Sequence, residues 1–199
     1  MAPTQGNQDS PVDLDSLAGS RVRLRELRDA DLPILAAWWA DPRIAPYQLS
    51  GPPHLRPASG VTEMLRGYNA NEGMDCGYCI VTLDDGELVG HAALFHVLPK
   101  DRCATLGIFL GPEHHDRGLG TDALQVLLRY GFAELGLHRI ELRVLGFNAR
   151  AIGLYRKLGF VDEGRRRSAI YRSGAWHDEV QMGMLRSEWE ERQSGTAPH

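Results

Sequence analysis

Val22 and Leu24 alternate with Arg21, Arg23 and Arg25, the period-two pattern of a strand with one wet face. Leu32, Leu35, Ala36 and Trp39 then recur at helical spacing up to the break at Asp41-Pro42, which predicts a helix over about 30–40 with Asp29 as its cap. The stretch Pro42 to Pro57 holds five prolines and Gly51 and predicts a long loop, and Pro57 is placed to open a second helix running to about Gly67. Between Cys76 and Val97 two strand-like runs flank Asp84-Asp85-Gly86-Glu87, a hairpin signal, and Ala104 to Leu110 reads as another strand.

There the pattern changes. A polar, glycine-containing turn from His114 to Gly120 precedes Leu124, Leu127, Leu128, Phe132 and Leu135, an amphipathic helix ending near Gly136, and Ile140, Leu142 and Val144 give a strand beyond it. A strand-helix-strand unit sets two strands parallel with a right-handed crossover. Asn148 then caps a short helix carrying Ala151, Ile152, Leu154, Tyr155 and Leu158 and closed by Gly159. Phe160 to Glu163 and Val180 to Leu185 read as a last hairpin, with Arg165 to His177 as strand ends and loop. The expectation is a mixed α/β (α+β) fold with a mostly antiparallel sheet and one parallel step.

The chain has 199 residues, 43% of them hydrophobic, enough for one substantial core. Residues 1–20 and 193–199 are polar and small and read as tails around one domain over 21–192. No apolar run is long enough to span a bilayer, and no basic stretch followed by an apolar one opens the chain, so the expectation is a cytoplasmic protein with no membrane partner. A formal net charge of −4 argues against a general affinity for nucleic acid and accords with a cationic amine as substrate. Cys76, Cys79 and Cys103 suit a reducing compartment; the first two have CxxC spacing but run into a strand pattern, where positions three apart face opposite sides. No second pair completes a zinc site, so no metal is expected.

The segment with most chemistry is Arg117-Gly118-Leu119-Gly120-Thr121. A helix N-terminus exposes unpaired amides and a partial positive charge, and glycines ahead of it let the chain wrap an anion. A Walker A loop needs Gly-Lys-Ser or Gly-Lys-Thr, and no such run occurs. A dinucleotide fingerprint is a nearer rival, since Gly118, Gly120 and Ala123 fit G-x-G-x-x-A with Glu141 downstream. Glu141 however lies inside its strand, the link from Leu110 to Gly118 is long, and no further strand-helix-strand unit follows.

Two segments taken together carry a resemblance. His114 to Leu124 looks like the Q/R-x-x-G-x-G/A coenzyme A loop of the GNAT superfamily of N-acetyltransferases, and Asn148 to Phe160 resembles its N-x-x-A-x-x-x-Y-x-x-x-G-F helix. The tail from Trp176 to Trp189 is similar to the branch that contains ribosomal-protein N-terminal acetyltransferases and some antibiotic acetyltransferases. The resemblance spans about Val22 to Glu190. It implies a splayed sheet with a coenzyme A groove, acetyl-CoA as co-substrate and an amine acceptor: a protein N-terminus, an aminoglycoside, a polyamine or a small metabolite. A non-catalytic acyl-CoA sensor is the alternative, and a homodimer is also implied.

Residue by residue, it implies that backbone groups of Ile108, Phe109 and Leu110 pair with the pantetheine arm, as an added strand pairs with a free sheet edge. Amides of Asp116, Arg117, Gly118, Leu119, Gly120 and Thr121 hold the pyrophosphate; His115 stands where the family has Gln or Arg, and the Arg117 side chain supplies charge. Asn148 helps bind the coenzyme arm, a backbone NH near Leu110 polarises the carbonyl, and Tyr155 is the acid for the leaving thiolate. Many relatives carry a glutamate base where this chain has Thr105, which leaves His91, His96, His114 and Asp178 as substitutes. A lysine-like amine costs about 4.6 kcal/mol to deprotonate at pH 7, whereas an α-amino group with pKa about 7.7–8.0 needs little help. A missing base therefore favours N-terminal amines. Acceptor identity is expected in the segments Asp41–Pro57 and Arg165–His177.

Overall fold

A computed structural model of the chain describes residues 14–48 and 58–195. Three leading elements, β1 (Val22–Arg25), α1 (Leu32–Ala40) and α2 (Ala58–Tyr68), precede an antiparallel run of β2 (Cys76–Thr82), β3 (Leu88–Leu98) and β4 (Cys103–Leu110). Then come α3 (Leu119–Arg129), β5 (Arg139–Leu145), α4 (Ala149–Leu158), β6 (Val161–Arg172), β7 (Ala175–Leu185) and α5 (Arg186–Gln193). The strands form one sheet in the order β1-β2-β3-β4-β5-β7-β6, every neighbouring pair antiparallel except β4 and β5. This is the mixed sheet with one parallel step that the sequence pattern predicts.

Each face of the sheet carries its own apolar layer. Under α3, Leu24, Ile80, Leu94, Leu124, Leu127 and Ile140 are essentially inaccessible, and each such side chain contributes about 1.5–3 kcal/mol of transfer free energy. Under α1 and α2, the buried set is Leu32, Leu35, Trp38, Val61, Leu65 and their neighbours. Cys76 belongs to the first layer and Cys79 to the second, so the CxxC pair straddles the sheet as strand alternation requires. Burial pushes the Cys76 thiol up to about 11 and Cys79 to about 12, keeping both protonated.

Several expectations are corrected. Asp29 does not cap α1: it pairs with Arg66 of α2 at 2.9 Å, and Asp31 precedes the helix instead. Asp31 accepts from the Arg28 amide at 2.8 Å and from both Arg25 guanidinium nitrogens at 2.7 and 2.9 Å. Arg165 to His177, expected as strand ends and loop, is strand nearly throughout: β6 and β7 run through it to a tight turn at Ser173-Gly174, both with positive φ. β6 is the sheet edge and largely exposed on both faces, so it lacks the alternation that reveals a strand. Trp189 of α5 stacks near Phe132, ring centroids 5.4 Å apart, giving a polar helix one apolar anchor.

Order also begins before residue 21. Leu14–Leu17 forms a 3₁₀ turn, and Arg129 Nη2 donates to the carbonyls of Ser16 and Ala18 at 2.8 and 2.7 Å. The rest of the expected tails, 1–13 and 196–199, and residues 49–57 of the proline-rich stretch with its Pro57 helix start lie outside the described residues. Among the described residues no helix is long and apolar enough to cross a membrane.

Candidate active site

The site originates in a mismatch of pairing. β4 is hydrogen-bonded to β3 from Leu98–Cys103 to Gly90–Leu110, and β5 to β7 along its whole length. Between β4 and β5 themselves the ladder covers only Cys103–Thr105 against Arg139–Glu141. Each strand follows its antiparallel partner, and past Thr105 the two diverge with the twist of the sheet. The β5-facing edge of Leu106–Leu110 is left without a strand partner, and a cavity of about 540 Å³ opens there. It is lined by Ile108, Phe109 and Leu110 on β4, by Asn148 and Tyr155 at α4, and by the turn that starts α3.

That turn is built for close approach. Asp116 and Gly118 have φ of 57° and 77°, which curls the chain just before the helix; the left-handed region suits Gly118 because it has no Cβ. A Cβ on Gly120 would lie 3.3 Å from Leu110 Cδ1, so a side chain there would press on the end of β4. The first helical bond runs from Asp122 N to Gly118 O at 3.2 Å, which places the amides of Leu119, Gly120 and Thr121 ahead of the helical ladder with the positive end of its dipole. His115, Asp116, Gly118, Leu119, Gly120 and Thr121 all line the cavity.

Arg117 does not. It lines an adjoining recess of about 500 Å³ with Arg21 and Lys157, which Asp116, Gly118 and Thr121 of the same turn also border. Its Nη1 is 3.3 Å from His114 Nδ1, and its carbonyl accepts from Arg21 at 2.9 Å. His115 is held below the ordinary histidine range, first by burial and then by the positive charge of Arg150, so it stands at the turn as a neutral ring at pH 7.

Asp122, one turn into α3, is a determinant that sequence reading passed over. Buried at 7% exposure, its carboxylate accepts from Ser20 N and Oγ at 3.0 and 2.9 Å and from the amides of Arg21 and Val22 at 2.8 and 2.9 Å. It fastens the start of β1 to the start of α3 and so fixes the turn ahead of the helix. Nothing in local pattern distinguishes it from an exposed acidic residue in a first helical turn, since its partners lie about a hundred residues away.

On α4, Asn148 Oδ1 accepts from Ala151 N at 3.2 Å and caps the helix, while Gly159 ends it at φ 107°. Tyr155 is 8% exposed, its ring edge-on to Phe160 at 5.8 Å. Burial pushes its phenol up to about 12, so the proton stays on throughout the neutral range. Among the described residues no protein group is hydrogen-bonded to that hydroxyl, which leaves it available to whatever enters the cleft.

The family description "Acetyltransferase (GNAT) domain" matches residues 21–161. The chain belongs to the GNAT acetyltransferases. It is thus an acetyl-CoA-dependent N-acyltransferase. It is 28% identical to the uncharacterized N-acetyltransferase p20 of Bacillus licheniformis over 88% of this chain and 99% of that protein. It is 32% identical to the spermidine N(1)-acetyltransferase of Escherichia coli strain K12 over 53% of this chain and 56% of that one. Among solved structures, the Vibrio cholerae spermidine N-acetyltransferase in complex with CoA and spermine superposes with a TM-score of 0.77 at 26% identity, covering 86% of this chain and 99% of that one.

In this GNAT chain the candidate bases separate. Asp178 is not at the cleft: it accepts from Ser168 N at 2.9 Å and Arg165 at 3.1 Å on the outer hairpin. His114 is buried beside Trp38, its Nδ1 facing Arg117, yet it lines the cavity, as does His96 from an exposed strand position with φ 52°. His91 lines it too, but its lone pair is engaged. Asn69 Nδ2 donates to the Leu65 carbonyl at 2.6 Å, which fixes the amide orientation, and the same nitrogen lies 2.9 Å from His91 Nε2. Nε2 therefore accepts and the proton sits on Nδ1, while burial lowers the ring to about 4. Neither property suits a proton acceptor at pH 7.

The end of the cleft under α1 and α2 is walled mainly by rings. Trp39 of α1 meets Phe109 edge-on at 5.3 Å, and Tyr68 of α2 meets Phe95 at 5.3 Å. Gly107 makes room for this wall, since a Cβ there would lie 3.0 Å from the Phe95 ring. Tyr47 and Gln48 contribute from the first segment expected to carry specificity, but no residue of Arg165–His177 lines the cavity. That hairpin acts at one remove, Arg172 donating to the Gln48 carbonyl at 2.7 Å and His177 packing on Phe147 at 4.7 Å.

Proposed function

We propose that the chain moves an acetyl group from acetyl-CoA directly to a primary amine, with the pantetheine arm along Ile108–Leu110 and the pyrophosphate on the amides of 116–121. The observation that carries this reading is the unpaired β4 edge, which runs into the free amides of α3 with the Tyr155 hydroxyl open to the same cavity. An amide-bearing arm pairs with such an edge as a strand does, and phosphate oxygens accept from a helix N-terminus.

A strand amide near Leu110 polarises the thioester carbonyl in this scheme. The ammonium of the acceptor loses its proton, the neutral nitrogen forms a C–N bond at the carbonyl carbon, and the C–S bond breaks. Tyr155 donates a hydrogen bond to the departing thiolate, and the second proton shed by the nitrogen as the amide forms balances the one the sulfur takes up to leave as coenzyme A. With Thr105 in place of a carboxylate, Asp178 away from the cleft and His91 committed to Asn69, the ammonium proton passes to water, directly or through His96 at the cavity wall. Catalysis is then first order in the neutral amine, and α-amino groups are favoured over lysine-like amines by their lower pKa.

Similarity of the tail from Trp176 to Trp189 supports a place beside the ribosomal-protein N-terminal acetyltransferases, and dimerisation is part of the same reading. Isothermal titration with acetyl-CoA, with NAD and NADP as controls, tests it. Micromolar binding of acetyl-CoA alone supports the groove. Binding of a dinucleotide, or of nothing, overturns it.

A further inference from the structure

Resting on the transferase reading above, the charge pattern of the cleft narrows the acceptor. Strand alternation places Thr105, Gly107 and Phe109 of β4 on the face covered by α1 and α2, and Arg143 of β5 shares that face because Thr105 pairs with Glu141, two residues before it. The lining there is led by the rings of Trp39, Tyr47, Tyr68, Phe95 and Phe109, with Arg143 and the polar side chains of Gln48, His96 and Thr105 among them. Among the described residues, the one carboxylate lining the cavity is Asp116, in the turn at the opposite, phosphate-binding end, where it lies 3.7 Å from Arg150. The nearest acid on the acceptor face, Glu141, is bonded to Arg139 at 3.2 Å and does not line the cavity. The segment 49–57, Leu-Ser-Gly-Pro-Pro-His-Leu-Arg-Pro, contains neither Asp nor Glu.

A polyamine keeps one or more ammonium groups charged while another reacts, and each of these needs a carboxylate or comparable acceptor when it leaves water. This cleft offers rings, polar side chains such as Gln48 and Thr105, and a cation, but among the described residues no carboxylate at that end. Glu179, 2% exposed, is shared by Arg166 at 2.6 Å and Arg143 at 3.8 Å, so one carboxylate stands against two guanidinium groups and the local balance is positive. Arg143, half exposed at its side chain, remains able to fork onto an entering carboxylate or carbonyl.

We infer that the acceptor is an α-amino group borne by an aromatic residue that carries no second positive charge, its ring seated against Phe95, Tyr68 and Phe109 and its carboxylate or carbonyl turned to Arg143. A free aromatic amino acid and a peptide beginning with one share this chemistry. In the transfer the α-nitrogen, starting as the ammonium, loses one proton to solvent and a second that ends on the coenzyme A sulfur; the C–N bond forms as the C–S bond breaks, and the products are the N-acetyl compound and coenzyme A.

The test follows coenzyme A release from acetyl-CoA with phenylalanine, phenylalaninamide, the peptide Phe-Gly-Gly and spermidine, using the full chain and its Arg143→Gln variant. The expected result is kcat/KM at least ten-fold higher for the best phenylalanine compound than for spermidine, with the ranking of amino acid and peptide identifying the source. Arg143→Gln lowers the preference for phenylalanine over phenylalaninamide about ten-fold or more, as loss of a charge-assisted bond predicts, and leaves acetyl-CoA affinity unchanged. Spermidine as the better substrate overturns the acceptor assignment while upholding the transferase; so does tight binding of acetyl-CoA with no turnover of any phenylalanine compound. An unchanged preference in the variant overturns the role of Arg143. Failure to bind acetyl-CoA overturns the underlying reading instead.

Discussion

Tyr155→Phe separates chemistry from folding at one atom. Burial raises the phenol to about 12, against about 8.5 for a thiol, a gap of roughly 3.5 units or 5 kcal/mol. Complete proton transfer from Tyr155 to the thiolate is thus uphill, and its contribution is a hydrogen bond that strengthens as charge develops on sulfur. Such a bond is worth about 1.5–3 kcal/mol, or roughly 10- to 150-fold in rate. Because no protein partner among the described residues depends on the hydroxyl and the ring keeps its packing on Phe160, Phe should fit the same space. The expected outcome is kcat reduced 10- to 150-fold, KM for acetyl-CoA changed less than about three-fold, and a melting temperature within about 2 °C of the parent. Coenzyme A release under saturating acetyl-CoA, beside a thermal melt, reads all three. Unchanged kcat refutes the donor role; a fall of kcat together with a melting temperature lowered by many degrees assigns Tyr155 to packing.

Other consequences follow from the same geometry. Asp122→Ala leaves the amides of Ser20, Arg21 and Val22 without their acceptor, and denaturant titration should show a loss of about 3–5 kcal/mol, with Asp122→Asn intermediate. Burial pulls the Asp122 pKa up, but the bonds from Ser20, Arg21 and Val22 prevail and hold it below the ordinary value. Its stabilisation is therefore present above about pH 4 and lost as pH falls through the depressed value. His91 is depressed from 6.5 to about 4 by burial, so it stabilises the fold above pH 6.5 and loses roughly 3 kcal/mol of that between 6.5 and 4; His91→Gln should flatten this part of a plot of melting temperature against pH. Gly118→Ala at φ 77° costs about 1–2 kcal/mol of backbone strain, and if the turn relaxes to relieve it, KM for acetyl-CoA should rise 5- to 30-fold with smaller effect on KM for the amine.

Much of this protein was legible in sequence because its signals are local. A period of two over Val22–Leu24, an Asp-Gly turn between apolar runs, Asn148 and Gly159 at the ends of α4, and glycines ahead of an amphipathic helix each report on neighbours within a few residues. They were sufficient for the order of the elements up to β7 and for the parallel step; the residues along the β4 side of the cleft came from the resemblance to the GNAT motifs. The β6–β7 arms were misread because an exposed edge strand buries too little to impose alternation, and α5 went unannounced because Trp189 is nearly its only apolar residue.

What tertiary structure alone decided is where long-range pairing stops and which way side chains turn. The ladder between β4 and β5 ends at Thr105 because each strand is held by a different antiparallel neighbour, and no composition of either strand records that. Asp178 turns to Arg165 and His91 to Asn69, which takes both away from the role of base, while the Arg117 side chain turns to a recess beside Arg21 that the same glycine turn borders. The aromatic wall and Arg143 come together from α1, α2, β3, β4 and β5. Residue type fixed what each group can do; only packing across the sheet determined which groups meet.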